Sequence, residues 1–131
     1  MNCCFCVALL LLANCTSVQA AKLWAGAAKV DITREGLPAK ARLFAKALVI
    51  RSESATLVVV TVDAVAIGEI GHIRNDYLTK VRGQIEKELG IKPAHVIVNA
   101  SHCHGVVCPD VDAKTVLAIR RAAKDMVPVR I

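Results

Sequence analysis

The sequence predicts an α/β fold: a mixed sheet built from a β-hairpin followed by a β-α-β-α-β run, with helices packed on it. Three observations carry this. Thr56-Leu-Val-Val-Val-Thr-Val62 is a near-continuous β-branched run, the pattern of a strand that is apolar on both faces. From Glu69 to Leu89 the period changes, and Ile70, Ile73, Tyr77, Val81, Ile85 and Leu89 recur at three and four, as on an amphipathic helix. A second apolar run, Ala94-His-Val-Ile-Val-Asn99, follows closely. Strand, helix and strand at this spacing give a parallel pair joined by a crossover.

The other elements follow in order. Val30 and Ile32, in a loosely alternating stretch, predict a first strand near Ala27–Ile32. Gly36 and Pro38 break it. Leu43, Ala45, Ala47 and Val49 then alternate along Leu43–Ile50, a strand with one apolar side. The polar stretch Arg51-Ser-Glu-Ser-Ala55 joins it to the Thr56–Val62 run as a hairpin. That second strand is expected to be central and covered on both faces. Gly90 and Pro93 stop the first helix. Asp110 is placed to cap a second helix carrying Val116, Ile119, Ala123 and Met126. Met126–Ile131 begins a further extended segment, which suggests a fragment.

The first twenty residues stand apart from this pattern. Cys3 to Ala13 is almost wholly apolar, and Val18-Gln-Ala20 has the small-residue ending of a secretory leader. Residues 1–20 are therefore expected to be a signal peptide, leaving residues 21–131 as the mature part, secreted or periplasmic. No Lys or Arg precedes the apolar run, and Leu12-Ala-Asn-Cys15 offers a lipoprotein alternative at Cys15. If the leader is removed, Cys103 and Cys108 remain, as free thiols, as a disulfide across the Gly105 turn, or with Cys108 facing a metal.

The chain has 131 residues and a formal net charge of +6, which bounds it to one small domain. Hydrophobic residues make up 55% and aromatic residues 3%, so the core is built from Val, Ile, Leu and Ala. The basic residues are dispersed, with no stripe and no interleaved aromatics. That excludes a nucleic-acid interface and leaves room for association with an anionic membrane surface.

The chemistry concentrates at Asn99-Ala-Ser-His-Cys-His-Gly105, where the second apolar run ends. Two of the four histidines lie here. If the strand persists, His102 and His104 share a face and Cys103 points away. Paired imidazoles at the end of a rigid strand suit a metal; the plainer reading is a loop with two ordinary histidines. Asp63 ends the first strand of the parallel pair, on the same edge, where sites gather in such sheets. It either orients a ligand histidine or stands near the metal, or it caps the loop by accepting backbone N–H groups. His72, near the predicted helix start, could approach the same edge but is expected to be a surface or half-buried histidine, and Tyr77 on the apolar stripe reads as core. Asn99-Ala-Ser101 matches a glycosylation sequon, but its place beside the strand end argues against modification.

Four segments together resemble the amino-terminal part of the catalytic domain of the neutral/alkaline (non-lysosomal) ceramidase family. They are Leu23-Trp-Ala-Gly-Ala-Ala-Lys-Val-Asp-Ile-Thr33, Leu43-Phe-Ala-Lys-Ala-Leu-Val-Ile50, Val60-Thr-Val-Asp63 and Asn99-Ala-Ser-His-Cys-His-Gly105. Ser101-His-Cys-His104 is similar to the family's Thr-His-Thr-His metal motif, with Ser101 and Cys103 replacing the threonines and Gly105-Val-Val-Cys-Pro109 replacing a glycine-rich continuation. The resemblance implies an incomplete catalytic domain of a zinc amidase that splits ceramide into a sphingoid base and a fatty acid. It implies His102 as a zinc ligand and His104 as the second motif histidine, close to the metal and to its water or substrate. His104 and Asp63 are thus the catalytic candidates, and a ceramide-like acyl amide is the implied partner. The further histidine, glutamate and tyrosine that complete the family's site lie downstream of the matching region, so these residues alone are expected to be inactive. The alternatives are a secreted metal- or ligand-binding α/β module without catalysis, and a purely structural α/β domain.

Overall fold

A computed structural model describes residues 22–37 and 41–130. The leader, its Ala20 cleavage point and Cys15 lie outside the described residues. Five strands and two longer helices occur in the order β1 (Leu23–Asp31), β2 (Phe44–Arg51), β3 (Thr56–Val62), α1 (Tyr77–Leu89), β4 (Val96–Ala100), α2 (Val111–Lys124) and β5 (Val127–Val129), with a short 3-10 turn, Pro93–His95, leading into β4. The sheet order is β4-β3-β2-β1-β5. β2 and β3 form the expected hairpin, with Ala47 opposite Val60. β3 and β4 are parallel, as the intervening helix requires. β1 pairs antiparallel with both β2 and β5, so β5, the last strand, crosses to the far edge.

One face of this sheet holds the core. Ala45, Ala47 and Val49 alternate into it from β2, and Val58, Val60 and Val62 from β3. Val96 joins from β4 and Val30 from β1. Against them pack Ile119, Ala118 and Ala122 of α2, which lies across β1 and β2, and Val81 and Ile85 of α1, which packs on α2. Each fully buried Val or Ile contributes roughly 1.5–3 kcal/mol. Tyr77 is core, as its stripe predicts: it is 2% exposed and its hydroxyl lies 2.8 Å from Thr115 Oγ1, tying the helices together.

Three expectations need correction. Helix α1 starts at Tyr77, not near Glu69. Glu69, Gly68 and Gly71 all take positive φ, and a Cβ on Gly71 would sit 2.2 Å from Val65 Cγ1. The chain therefore loops tightly from Asp63 to Asp76; Ile70, placed on the stripe by period alone, is exposed, while Ile73 is buried. Asp110 occupies the cap position of α2 but makes no side-chain cap bond; its carboxylate lies 3.8 Å from Lys114 Nζ instead. Finally, β3 is internal, but among the described residues the helices cover one face of the sheet only.

The opposite face carries two apolar rows in register, Ala27–Leu48–Val59–Ile97 and Val127–Ala25–Ile50–Leu57. Leu48 is 38% exposed, Ile97 50% and Val127 57%. A contiguous apolar patch on a sheet face drives association. The double variant Leu48→Lys, Ile97→Lys is expected to reduce self-association of the chain at tens of micromolar while changing its Tm by only a few degrees, because neither side chain belongs to the core. Light scattering and thermal unfolding on the two proteins check this.

Candidate metal edge at the ends of β3 and β4

The β1, β3 and β4 strands all run toward one edge of the sheet, and the site loop is stitched to it on both sides. Leaving β4, Ser101 N donates to Val62 O at 3.0 Å and Cys103 N to Ala64 O at 2.9 Å. The ladder between β3 and β4 thus continues past the strands' ends. After Gly105 the chain pairs with the end of β1: Arg34 N donates to Val106 O at 3.1 Å and Cys108 N to Ile32 O at 2.7 Å. Between these anchors lie His102, Cys103 and His104. A loop held at both ends presents its side chains in a fixed arrangement.

The strand does not persist through the triplet. β4 ends at Ala100, and His102 adopts a left-handed backbone with φ of 59°. The period-two argument for a shared face therefore fails, yet the two rings are brought together by another route. Their centroids lie 5.1 Å apart with the planes at 85°, edge to face. Both residues are exposed, open to a ligand. A left-handed non-glycine residue costs about 1–3 kcal/mol and clusters at functional sites.

Asp63 stands at the same edge, 9% exposed. Its Oδ2 accepts from Phe44 N at 3.0 Å, and its Oδ1 accepts from Lys46 Nζ at 2.9 Å and Ser101 Oγ at 3.0 Å. Burial alone would raise its pKa; the Lys46 ammonium, the Phe44 amide and the Ser101 hydroxyl outweigh it and hold the carboxyl below its usual range. A depressed folded pKa adds stability that is present above the unfolded value of about 3.9 and is lost as pH falls from there through the folded value. Asp63→Asn is accordingly expected to lower stability at pH 7 and to flatten the loss of stability as pH falls below about 4. Urea unfolding of both proteins across that range checks the sign.

The remaining candidates sit further off. Cys103 and Cys108 are free, the first half-buried and the second buried. Burial and the Asp110 carboxylate push the Cys108 thiol up, away from thiolate character. His72 lies in the exposed loop before α1, where it lines a cavity of about 280 Å³ with Arg34, Arg74, Lys80 and Cys108. Burial pushes the Tyr77 hydroxyl up to about 12, so it stays a neutral core group. Two contributors escape sequence reasoning: Lys46, which holds Asp63, and the Ile32–Arg34 segment, which clamps the far side of the loop. Their signal lies in β-register, which no local pattern encodes.

Zinc takes an imidazole nitrogen as ligand, and the loop presents the His102 ring with His104 beside it. Among the described residues, no group of three or more His, Cys, Asp or Glu side chains converges. The donor set thus fits one side of a zinc site.

No family model matches the sequence, and no curated protein matches it. Solved structures do match by fold. A ceramidase complexed with C2 superposes with a TM-score of 0.66 at 20% identity, over 82% of this chain and 22% of that one. The chain has the fold of part of a neutral ceramidase. The neutral ceramidase from Pseudomonas aeruginosa agrees, with a TM-score of 0.63 at 21% identity, covering 84% of this chain and 23% of the ceramidase. The chain therefore spans under a quarter of the length of the ceramidases it matches. The mixed sheet with its two helices, as the sequence predicts, is similar to a segment of these proteins.

Proposed function

We propose that the chain is a segment of a secreted zinc-dependent amidohydrolase that cleaves the N-acyl bond of ceramide-like amides to a sphingoid base and a fatty acid. The observation that carries this is the His102–His104 pair, 5.1 Å apart at the strand ends of a ceramidase-like fold. His102 would hold the ion, and His104, facing it edge to face, would bond to the attacking water or to the amide. When bound, zinc supplies a Lewis acid and lowers the pKa of a coordinated water toward neutrality. The clamps at Val62–Ala64 and Ile32–Arg34 fix the loop against the sheet, so the two imidazoles arrive pre-oriented. Asp63, engaged by three donors, keeps its charge at the edge. A catalytic zinc takes about three protein ligands, and the resemblance supplies the missing ones from outside this chain. The chain alone is therefore inactive.

A zinc-stimulated hydrolysis assay on a short N-acyl sphingosine tests this. A longer gene product containing these residues is expected to hydrolyse it, to lose activity with a chelator, and to regain it with zinc. Chelator-insensitive hydrolysis, or robust turnover by the 131-residue chain, would overturn the proposal. Secretion follows from the leader, and the mature amino terminus is expected at Ala21; Edman sequencing of secreted protein checks it.

A second reading is a metal-holding module without hydrolysis. It shares the zinc-binding expectation and differs in predicting no activity in any longer product. Among the described residues no helix is long and apolar enough to cross a membrane. Association with an anionic membrane surface, where a lipid amide would be met, is part of the same proposal.

A further inference from the structure

We propose that Asp63 and Ser101 are positioning residues for His102: the carboxylate grips the Ser101 hydroxyl and so fixes the backbone from which the strained histidine projects. Three observations support it. Ser101 directly precedes His102, and its Oγ donates to Asp63 Oδ1 at 3.0 Å. Asp63 is itself immobilised, receiving Lys46 Nζ and Phe44 N, while its own N–H donates to Phe44 O at 2.9 Å. His102 lies between the two ladder bonds from Ser101 N and Cys103 N, yet its φ is 59°.

A non-glycine residue keeps a left-handed backbone only where its surroundings over-determine it. The backbone bonds of Ser101 and Cys103 set the path of the chain but leave the peptide before His102 free to rotate about its neighbours. The Ser101 side chain removes that freedom, because its hydroxyl must stay on the buried carboxylate. If the grip is released, His102 relaxes toward negative φ, and its ring swings away from His104. The edge-to-face geometry, not the fold, is what the pair maintains. Both act through the imidazole.

This inference rests on the zinc reading only for its metal arm, so the test carries two readouts on the full chain. The first is the nuclear Overhauser contact between the His102 and His104 ring protons. It is expected to be present in the wild type and in Ser101→Thr, which keeps the hydroxyl, and lost in Ser101→Ala, with sheet methyl signals unchanged. The second is affinity for zinc alone, expected to fall about tenfold or more in Ser101→Ala, the scale of a lost orienting partner, and to stay within twofold of wild type in Ser101→Thr.

Retention of the ring contact in Ser101→Ala would overturn the proposal. So would its absence from the wild type, its loss in a folded Ser101→Thr, or global unfolding of Ser101→Ala, which would make the hydroxyl a general structural element. If the ring contact behaves as expected but no variant binds zinc, the positioning role stands and the zinc reading falls.

Discussion

His102→Ala is expected to lower the chain's affinity for zinc by more than about a hundredfold, beyond the 10- to 100-fold cost of losing a mere orienting partner. The pair supplies two imidazoles from one clamped loop, and no third donor group converges on them among the described residues. Removing His102 therefore removes the ligand that the chain is proposed to give the ion and leaves only His104 beside it. The substitution should cost little in folding, because His102 is exposed and lies outside the core. The left-handed backbone at this position stays, because the bonds of Ser101 and Cys103 impose it and alanine carries the same Cβ, so the strain is unchanged. Zinc titration and thermal unfolding of the same preparation separate the two effects. A hundredfold loss of affinity with a nearly unchanged Tm is the expected outcome. A collapse of Tm would make His102 a structural residue.

Gly26→Ala is the largest expected stability change. A Cβ at Gly26 would stand 2.0 Å from Ala122 O and 3.1 Å from Met126 N, both backbone atoms of the chain at the end of α2. Backbone cannot step aside as a side chain can, so α2 would have to lift from β1 and β2. Overpacking of this kind costs about 1–3 kcal/mol and sometimes more; against backbone, the upper end applies. For a chain of this size that is a drop in Tm of more than about 10 °C. Helix α2 also frames the site loop, because Cys108 and Asp110 lead directly into it. Zinc affinity should weaken along with stability in this variant, in contrast to His102→Ala. Calorimetry of wild type and variant checks the shift.

The contrast between these two residues shows what a linear sequence discloses. The triplet His102-Cys-His104 is visible because two rare residues meet at the end of an apolar run. Gly26 sits in an unremarkable Ala-Gly-Ala-Ala stretch, and its importance comes from a helix nearly a hundred positions later. The hairpin, the parallel pair and the second helix were legible because each rests on a local period. Helix α1 was overextended because Ile70 and Ile73 fit a helical period by chance, while Gly68, Glu69 and Gly71 held the chain in positive φ. The left turn at His102 was illegible for the opposite reason: nothing local requires it, and bonds to Val62, Ala64 and Asp63 from another strand impose it. Asp63 was found by its place at a strand end, but its partner Lys46 depends on the register of β2 against β3. The apolar rows on the open sheet face depart from the expectation. The all-apolar β3 run implies cover on both sides, and the described helices provide it on one.

The most direct measurement is a zinc titration of the 131-residue chain, followed on the imidazole nitrogens of His102 and His104 by NMR. One zinc per chain is expected, perturbing both rings together, with a dissociation constant weaker than about 1 µM because a complete site's affinity needs ligands beyond these two. Binding should vanish in His102→Ala. Millimolar zinc that leaves both rings unmoved, or binding at other residues that survives His102→Ala, would contradict the assignment of this edge as part of a metal centre.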